Sequence, residues 1–256
     1  MGVLEQILEQ KRSELPALKA RALPAPPPRR ALALDRASNA GRLSLIAEIK
    51  RRSPSAGRLS TVLSVAERAL AYERAGAAML SVLCDSRFFD GEYAHLQEAR
   101  AATSLPLLCK EFVIDPLQLT VARAFGADAV LLIVRCLSGG QTRELVSCAR
   151  EQQLVPFVEV ATEAELSTAL DAGADLIGVN ARDLDTLVMD AERAARVLAA
   201  IPTSVTRVHL SGLSKPADVQ RIRASGADAA LVGEALMRAD DPGPLLSELS
   251  RSARGG

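Results

Sequence analysis

The stretch Ser44-Leu45-Ile46-Ala47-Glu48-Ile49-Lys50 is apolar enough for an interior strand, yet it carries two charges at its C-terminal end. Successive side chains of a strand point to opposite faces, so Leu45, Ala47 and Ile49 share one face and Ile46, Glu48 and Lys50 the other. The face packed against helices must be apolar. Glu48 and Lys50 therefore point into the interior of a barrel, at its C-terminal mouth, where a charge without a partner is strongly unfavourable.

Outward from this segment, apolar runs of strand length alternate with amphipathic helix patterns. Strands are expected near 44–50, 78–83, 106–111, 128–134, 155–160, 174–180, 205–210 and 228–233. Parallel strands need a crossover between them, and a helix in each crossover gives an α/β fold. Gly76-Ala77-Ala78, Gly126-Ala127-Asp128, Gly173-Ala174-Asp175 and Gly226-Ala227-Asp228 each end a helix and lead into a strand, where glycine tolerates the left-handed conformation of a helix cap. Their spacing of about fifty residues marks a repeat of two β/α units. The fold class expected is thus a single (β/α)8 TIM barrel, since an open doubly wound sheet should break that regularity where its strand order reverses. The single domain, 1–256, divides into an N-terminal helix (1–22), a Pro-rich connector and lead-in (23–43) and the barrel (44–250). Val3, Leu4, Ile7, Leu8 and Leu15 give the first segment its helical spacing, and Leu23-Pro24-Ala25-Pro26-Pro27-Pro28 is a stiff spacer.

Lysine plus arginine balances aspartate plus glutamate at 31 each, which argues against a nucleic acid or an anionic membrane surface as partner. Any anion bound must be small and local. Cys84, Cys109, Cys136 and Cys148 are scattered without a CxxC pair and there are only two histidines, so neither a zinc site nor a disulfide framework is expected. The N-terminus reaches charged residues at once and no apolar run approaches membrane-spanning length, so the expected location is the cytoplasm.

The parity of the first strand recurs. Lys110 falls in phase with Leu108, Glu159 in phase with Phe157, and Asn180 ends the sixth strand. Glu48, Lys50, Lys110, Glu159 and Asn180 therefore converge at the C-terminal ends of their strands, where catalytic residues of this fold sit. Two lysines, two carboxylates and a carboxamide without a Ser-His-Asp set favour acid/base and electrostatic chemistry. His95 falls in a helix and His209 on the helix-facing side of the seventh strand, as packing or surface residues. Two unit charges about 6 Å apart at an effective dielectric of about 20 repel by roughly 3 kcal/mol, about two pKa units. Lys50 would lower Lys110 by that route, while Glu48 and Glu159 oppose it. After the last two strands, Ser211-Gly212 and Gly233-Glu234 bare backbone N–H groups in the turns where barrels often cradle phosphate.

These motifs resemble indole-3-glycerol phosphate synthases. Ile46-Ala47-Glu48-Ile49-Lys50-Arg51-Arg52-Ser53-Pro54-Ser55 looks like the family's strand-one signature. Further matches are Lys110-Glu111-Phe112-Val113-Ile114-Asp115-Pro116, Val158-Glu159-Val160, Gly178-Val179-Asn180-Ala181-Arg182-Asp183-Leu184, Ser211-Gly212 and Leu231-Val232-Gly233. The resemblance implies a carboxy-lyase of tryptophan biosynthesis that cyclises a carboxyphenylamino-deoxyribulose phosphate with loss of carbon dioxide and water, without cofactor or metal. It implies Lys110 as general acid, Glu159 as acid/base partner, Lys50 on the substrate's anionic groups and Glu48 orienting the lysines. It also implies Ser53, Asn180 and Arg182 as substrate-positioning residues, Phe89, Phe112, Leu131 and Leu184 as the slot for the aromatic ring, and Ser211, Gly212, Gly233 and Glu234 at the phosphate. The N-terminal helix would form part of a lid. The chain would act as a monomer or weak homodimer, with a pathway enzyme as a further partner.

Two positions depart from the family pattern. A glutamate usual before the strand-seven Ser-Gly is Leu210 here, and Glu111 stands where aspartate is usual. Leu210 fits either a loss that slows the reaction or a related substrate in another pathway. A phosphoribosylanthranilate-type isomerase, which favours a Cys/Asp pair, and a non-catalytic barrel subunit are the other readings left open.

Overall fold

A barrel strand is covered on both faces, so its two sets of alternate side chains enter two different cores. The computed structural model describes residues 2–34, 42–54 and 56–255, so Ser55 of the strand-one signature, residues 35–41 of the lead-in and the two terminal residues lie outside it. Strands Ser44–Ile49 (β1), Met79–Leu83 (β2), Leu107–Lys110 (β3), Ala129–Ile133 (β4), Val155–Val160 (β5), Leu176–Asn180 (β6), Thr206–Leu210 (β7) and Ala229–Val232 (β8) form one closed barrel, with β8 returning to β1. All its pairings are parallel. Lys50 stands just past the end of β1, and β6 begins at Leu176 instead of 174. Leu45, Ala47 and Ile49 join the core between barrel and helices, whereas Ile46, Leu108, Phe157 and Val208 fill the interior.

Among the described residues eleven α-helices accompany the strands: α1 (Val3–Lys19), α2 (Val65–Arg74), α3 (Ser86–Phe89), α4 (Tyr93–Ala102), α5 (Pro116–Ala124), α6 (Gly139–Glu151), α7 (Glu163–Asp171), α8 (Ala191–Ala200), α9 (Pro216–Ala224), α10 (Glu234–Arg238) and α11 (Gly243–Arg254). The last runs beyond residue 250, where the barrel was expected to end. Gly76, Gly126, Gly173 and Gly226 follow α2, α5, α7 and α9 with φ of 92°, 100°, 78° and 87°, the left-handed cap expected of them. Among the described residues no helix is long and apolar enough to cross a membrane.

The aspartates of the repeat do more than follow a cap. The Asp128 carboxylate is fully buried and accepts from the Leu107 N–H at 2.9 Å, the Arg30 N–H at 2.7 Å and the Arg100 guanidinium at 2.7 Å. It thereby ties the start of β3, the lead-in chain and α4 together. Asp228 repeats the device by accepting from the Arg207 N–H at 2.8 Å, at the start of β7. Asp175 lacks it and sits at the surface near Arg150. Removing a buried acceptor leaves its donors without partners at about 1–3 kcal/mol each. Asp128→Ala is expected to lower the unfolding free energy by about 3 kcal/mol in urea denaturation; a loss below about 1 kcal/mol would show that the three donors find other acceptors.

Candidate active site

The interior side chains rise in steps of two residues along each strand, and one step above Ile46, Leu108, Phe157 and Val208 stand Glu48, Lys110, Glu159 and Leu210. Those four come from the alternate strands β1, β3, β5 and β7, the arrangement by which side chains fill barrels of this fold. Three are ionisable and the fourth is a buried leucine.

Glu48 is the hub. Its Oε1 accepts from the Lys50 Nζ at 2.8 Å and its Oε2 lies 3.1 Å from the Lys110 Nζ, with Ser81 Oγ donating to Oε2 at 3.4 Å from the adjoining strand. Burial pushes the Glu48 carboxyl up, but Lys110 and then Lys50 outweigh it and bring it down to about 2. Burial likewise pulls the Lys110 ammonium down, and Glu48 followed by Glu159 holds it above its ordinary value. The lowering that Lys50 alone would produce is overridden by the two carboxylates, Glu48 and Glu159, that act on Lys110. Lys110 is therefore a charged proton donor at neutral pH.

Glu159 occupies a different environment. Burial raises its carboxyl above the ordinary value although Lys110 and the Asn180 side chain oppose the shift. Asn180 Nδ2 donates to Glu159 Oε1 at 2.8 Å, and Asn180 Oδ1 accepts from the Ser211 Oγ at 2.9 Å and the Arg182 N–H at 2.9 Å. The carboxamide thus links the carboxyl of β5 to the turn after β7. A firmly ionised Glu48, a charged Lys110 and a carboxyl raised towards its neutral form are groups whose surroundings push their pKa values apart, which is the arrangement acid/base chemistry requires.

Ser211 and Gly212 both have positive φ, 72° and 78°, so the turn after β7 directs consecutive peptides differently from a strand. Gly233 is required for another reason: a Cβ there would lie 2.6 Å from Glu48 Oε1. The turn after β8 is therefore kept bare by the hub carboxylate itself.

One cleft at the C-terminal mouth is lined by all fifteen residues singled out from the sequence: Glu48, Lys50, Ser53, Phe89, Lys110, Phe112, Leu131, Glu159, Asn180, Arg182, Leu184, Ser211, Gly212, Gly233 and Glu234. The Phe89 and Phe112 rings form a tilted pair with 6.1 Å between centroids and 35° between planes. The Glu234 side chain turns outward to Arg238, at 2.9 Å, so only its backbone is free to serve the cleft. Neither histidine and no cysteine lines the cleft, and among the described residues no group of three or more His, Cys, Asp or Glu side chains is placed to hold a metal ion.

Sequence reasoning missed several contributors. Leu187 of the loop after β6 also lines the cleft, and Val3, Leu4 and Ile7 are the residues by which α1, expected only as part of a lid, reaches it. That loop is held by Arg135, which donates to Asp183 Oδ2 at 2.7 Å and to Glu165 Oε1 at 3.0 Å. Lys11 is buried on the same stripe of α1 as Leu4 and Ile7. A lysine in phase with an apolar stripe was the signal available for it.

Leu210 is buried but does not line the cleft. It packs on the bare backbone of Gly178, where a Cβ would meet its Cδ1 at 2.8 Å and the Phe157 ring at 3.0 Å. A carboxylate at 210 would enter this apolar corner near Glu159 with no cation assigned to it. Leu210→Glu is expected to lower the unfolding free energy by about 1–3 kcal/mol, read from the shift in the thermal midpoint; an unchanged or raised midpoint would show that the corner accepts the charge.

The family model described as indole-3-glycerol phosphate synthase matches residues 4–249. The indole-3-glycerol phosphate synthase of Polynucleobacter asymbioticus is 48% identical over 217 residues, covering 85% of this chain and 81% of that protein. The one from Parafrankia sp. is 45% identical over 97% of this chain and 95% of its own. Among solved structures, a 3-hexulose-6-phosphate synthase aligns with a TM-score of 0.66 at 17% identity, covering 82% of this chain and 99% of that one. Thiamine phosphate pyrophosphorylase from Pyrococcus furiosus aligns with a TM-score of 0.63 at 19% identity, covering 83% and 96%. At such identities these two likenesses concern the fold alone.

Proposed function

This chain belongs to the indole-3-glycerol phosphate synthase family, and from that premise we propose how its cleft carries out the family's carboxy-lyase reaction, the conversion of 1-(2-carboxyphenylamino)-1-deoxyribulose 5-phosphate to indole-3-glycerol phosphate. The observation that carries the proposal is the Lys110 ammonium, held by Glu48 at the barrel mouth in the same cleft as Glu159. An ammonium in a partly water-excluded cleft is suited to donate a proton to a carbonyl oxygen as a new bond closes on that carbon.

In this reading the aromatic ring packs against the edge of the Phe89–Phe112 pair, with Leu131 and Leu184 completing the slot. Lys50, the second cation on Glu48, meets the substrate's anionic groups. Lys110 protonates the sugar carbonyl oxygen while the ring carbon bearing the carboxylate attacks the carbonyl carbon, and carbon dioxide then leaves as aromaticity is restored. Glu159, raised towards its neutral form, serves the dehydration by protonating the departing hydroxyl, which the nitrogen lone pair expels as water; the carbon beside the nitrogen then loses its proton to the Glu159 carboxylate, which gives the indole, and solvent reprotonates Lys110. Ser53, Asn180 and Arg182 position the sugar. The backbone N–H groups around Ser211–Gly212 and Gly233–Glu234 take the phosphate, whose charge no buried carboxylate of those turns opposes once Glu48 is neutralised by its two lysines. The partner supported is accordingly this small phosphorylated substrate.

Incubating the purified protein with the carboxyphenylamino-deoxyribulose phosphate should produce indole fluorescence, and Lys110→Ala should lower kcat by about a hundredfold or more. No turnover by the parent, or a Lys110→Ala enzyme within a few-fold of it, would overturn the assignment.

A further inference from the structure

We infer that Lys11, on the N-terminal helix, is a positioning residue that sets the two aromatic walls of the cleft. Its Nζ is buried and lies 2.8 Å from Asp85 Oδ2, 3.1 Å from Glu111 Oε1 and 2.9 Å from Glu14 Oε2. Asp85 and Glu111 are themselves almost wholly buried, so the lysine is the cation that allows two carboxylates to sit inside the protein.

Each of those carboxylates holds one aromatic wall through its backbone. Asp85 Oδ1 accepts from the Phe88 N–H at 2.6 Å and the Phe89 N–H at 3.2 Å, and caps α3, on which Phe89 stands. Glu111 Oε1 accepts from the Phe112 N–H at 2.7 Å. One ammonium from α1 therefore bridges the two acceptors that fix Phe89 and Phe112, whose tilted rings are in contact at 6.1 Å between centroids. Ile7 and Leu4, one and two turns earlier on the same stripe, reach the cleft directly. Lys11 thus fastens α1 over the cleft and spaces the aromatic pair in a single contact. Lys110, adjacent to Glu111 in sequence, has its own carboxylate in Glu48 and does not depend on this bridge.

The position of the slot follows from geometry alone; the effect on the ring-bearing substrate rests on the function proposed above. Lys11→Met is expected to raise KM about tenfold, the worth of one disordered aromatic contact, while kcat stays within about threefold. In native-state amide hydrogen exchange the Phe88, Phe89 and Phe112 amides should exchange faster while those of β5 and β6 are unchanged. Glu111→Gln keeps an oxygen for the Phe112 N–H but weakens the bridge, and should show the same KM effect at smaller size; it carries the kinetic test should Lys11→Met not fold. A fall in kcat with KM unchanged, or unaltered protection of the three amides, would overturn the inference. If the parent shows no turnover, the function is wrong, and the amide exchange still decides the role of Lys11.

Discussion

The site depends on one buried carboxylate shared by two ammonium groups. Glu48 is 2.8 Å from Lys50 and 3.1 Å from Lys110. Two lysines converging on a barrel interior would otherwise repel each other in a medium that screens poorly, and at least one would surrender its proton. With Glu48 between them, both charges are tolerated and the hub itself stays ionised down to about pH 2. The same carboxylate presses on Gly233, so the electrostatic arrangement also dictates the residue at the turn after β8.

A second consequence concerns the layer to which Glu48 belongs. Glu48, Lys110 and Glu159 need a fourth member from β7, and Leu210 fills that place as packing against Gly178 and Phe157. Glu159 is oriented instead by Asn180, whose carboxamide is also engaged by Ser211 and Arg182. A carboxylate at 210 is therefore not needed to hold Glu159 in place, which favours retained activity over a redirected one as the meaning of this departure from the family pattern.

Strand parity made most of the fold and the site legible in the sequence. The alternation in Ser44–Lys50 assigned Glu48 to the interior because a helix-packed face cannot carry a charge, and the same phase rule located Lys110 and Glu159. What stayed hidden depends on contacts between residues distant in the chain. The Lys11–Glu111 bond spans a hundred positions, and the three donors of Asp128 come from three separate segments. The sign of the Lys110 shift was equally inaccessible, since it turns on which of several nearby charges lies closest. Local periodicity carries no such distances.

The pH dependence of kcat, compared between the parent and Glu48→Gln, tests the central claim most directly. Loss of activity at high pH reports deprotonation of Lys110, and Glu48 is the strongest influence holding that lysine's proton against burial. Neutralising Glu48 should move the alkaline limb to lower pH, in the direction burial alone would take it. A limb that stays in place or moves to higher pH would contradict the account.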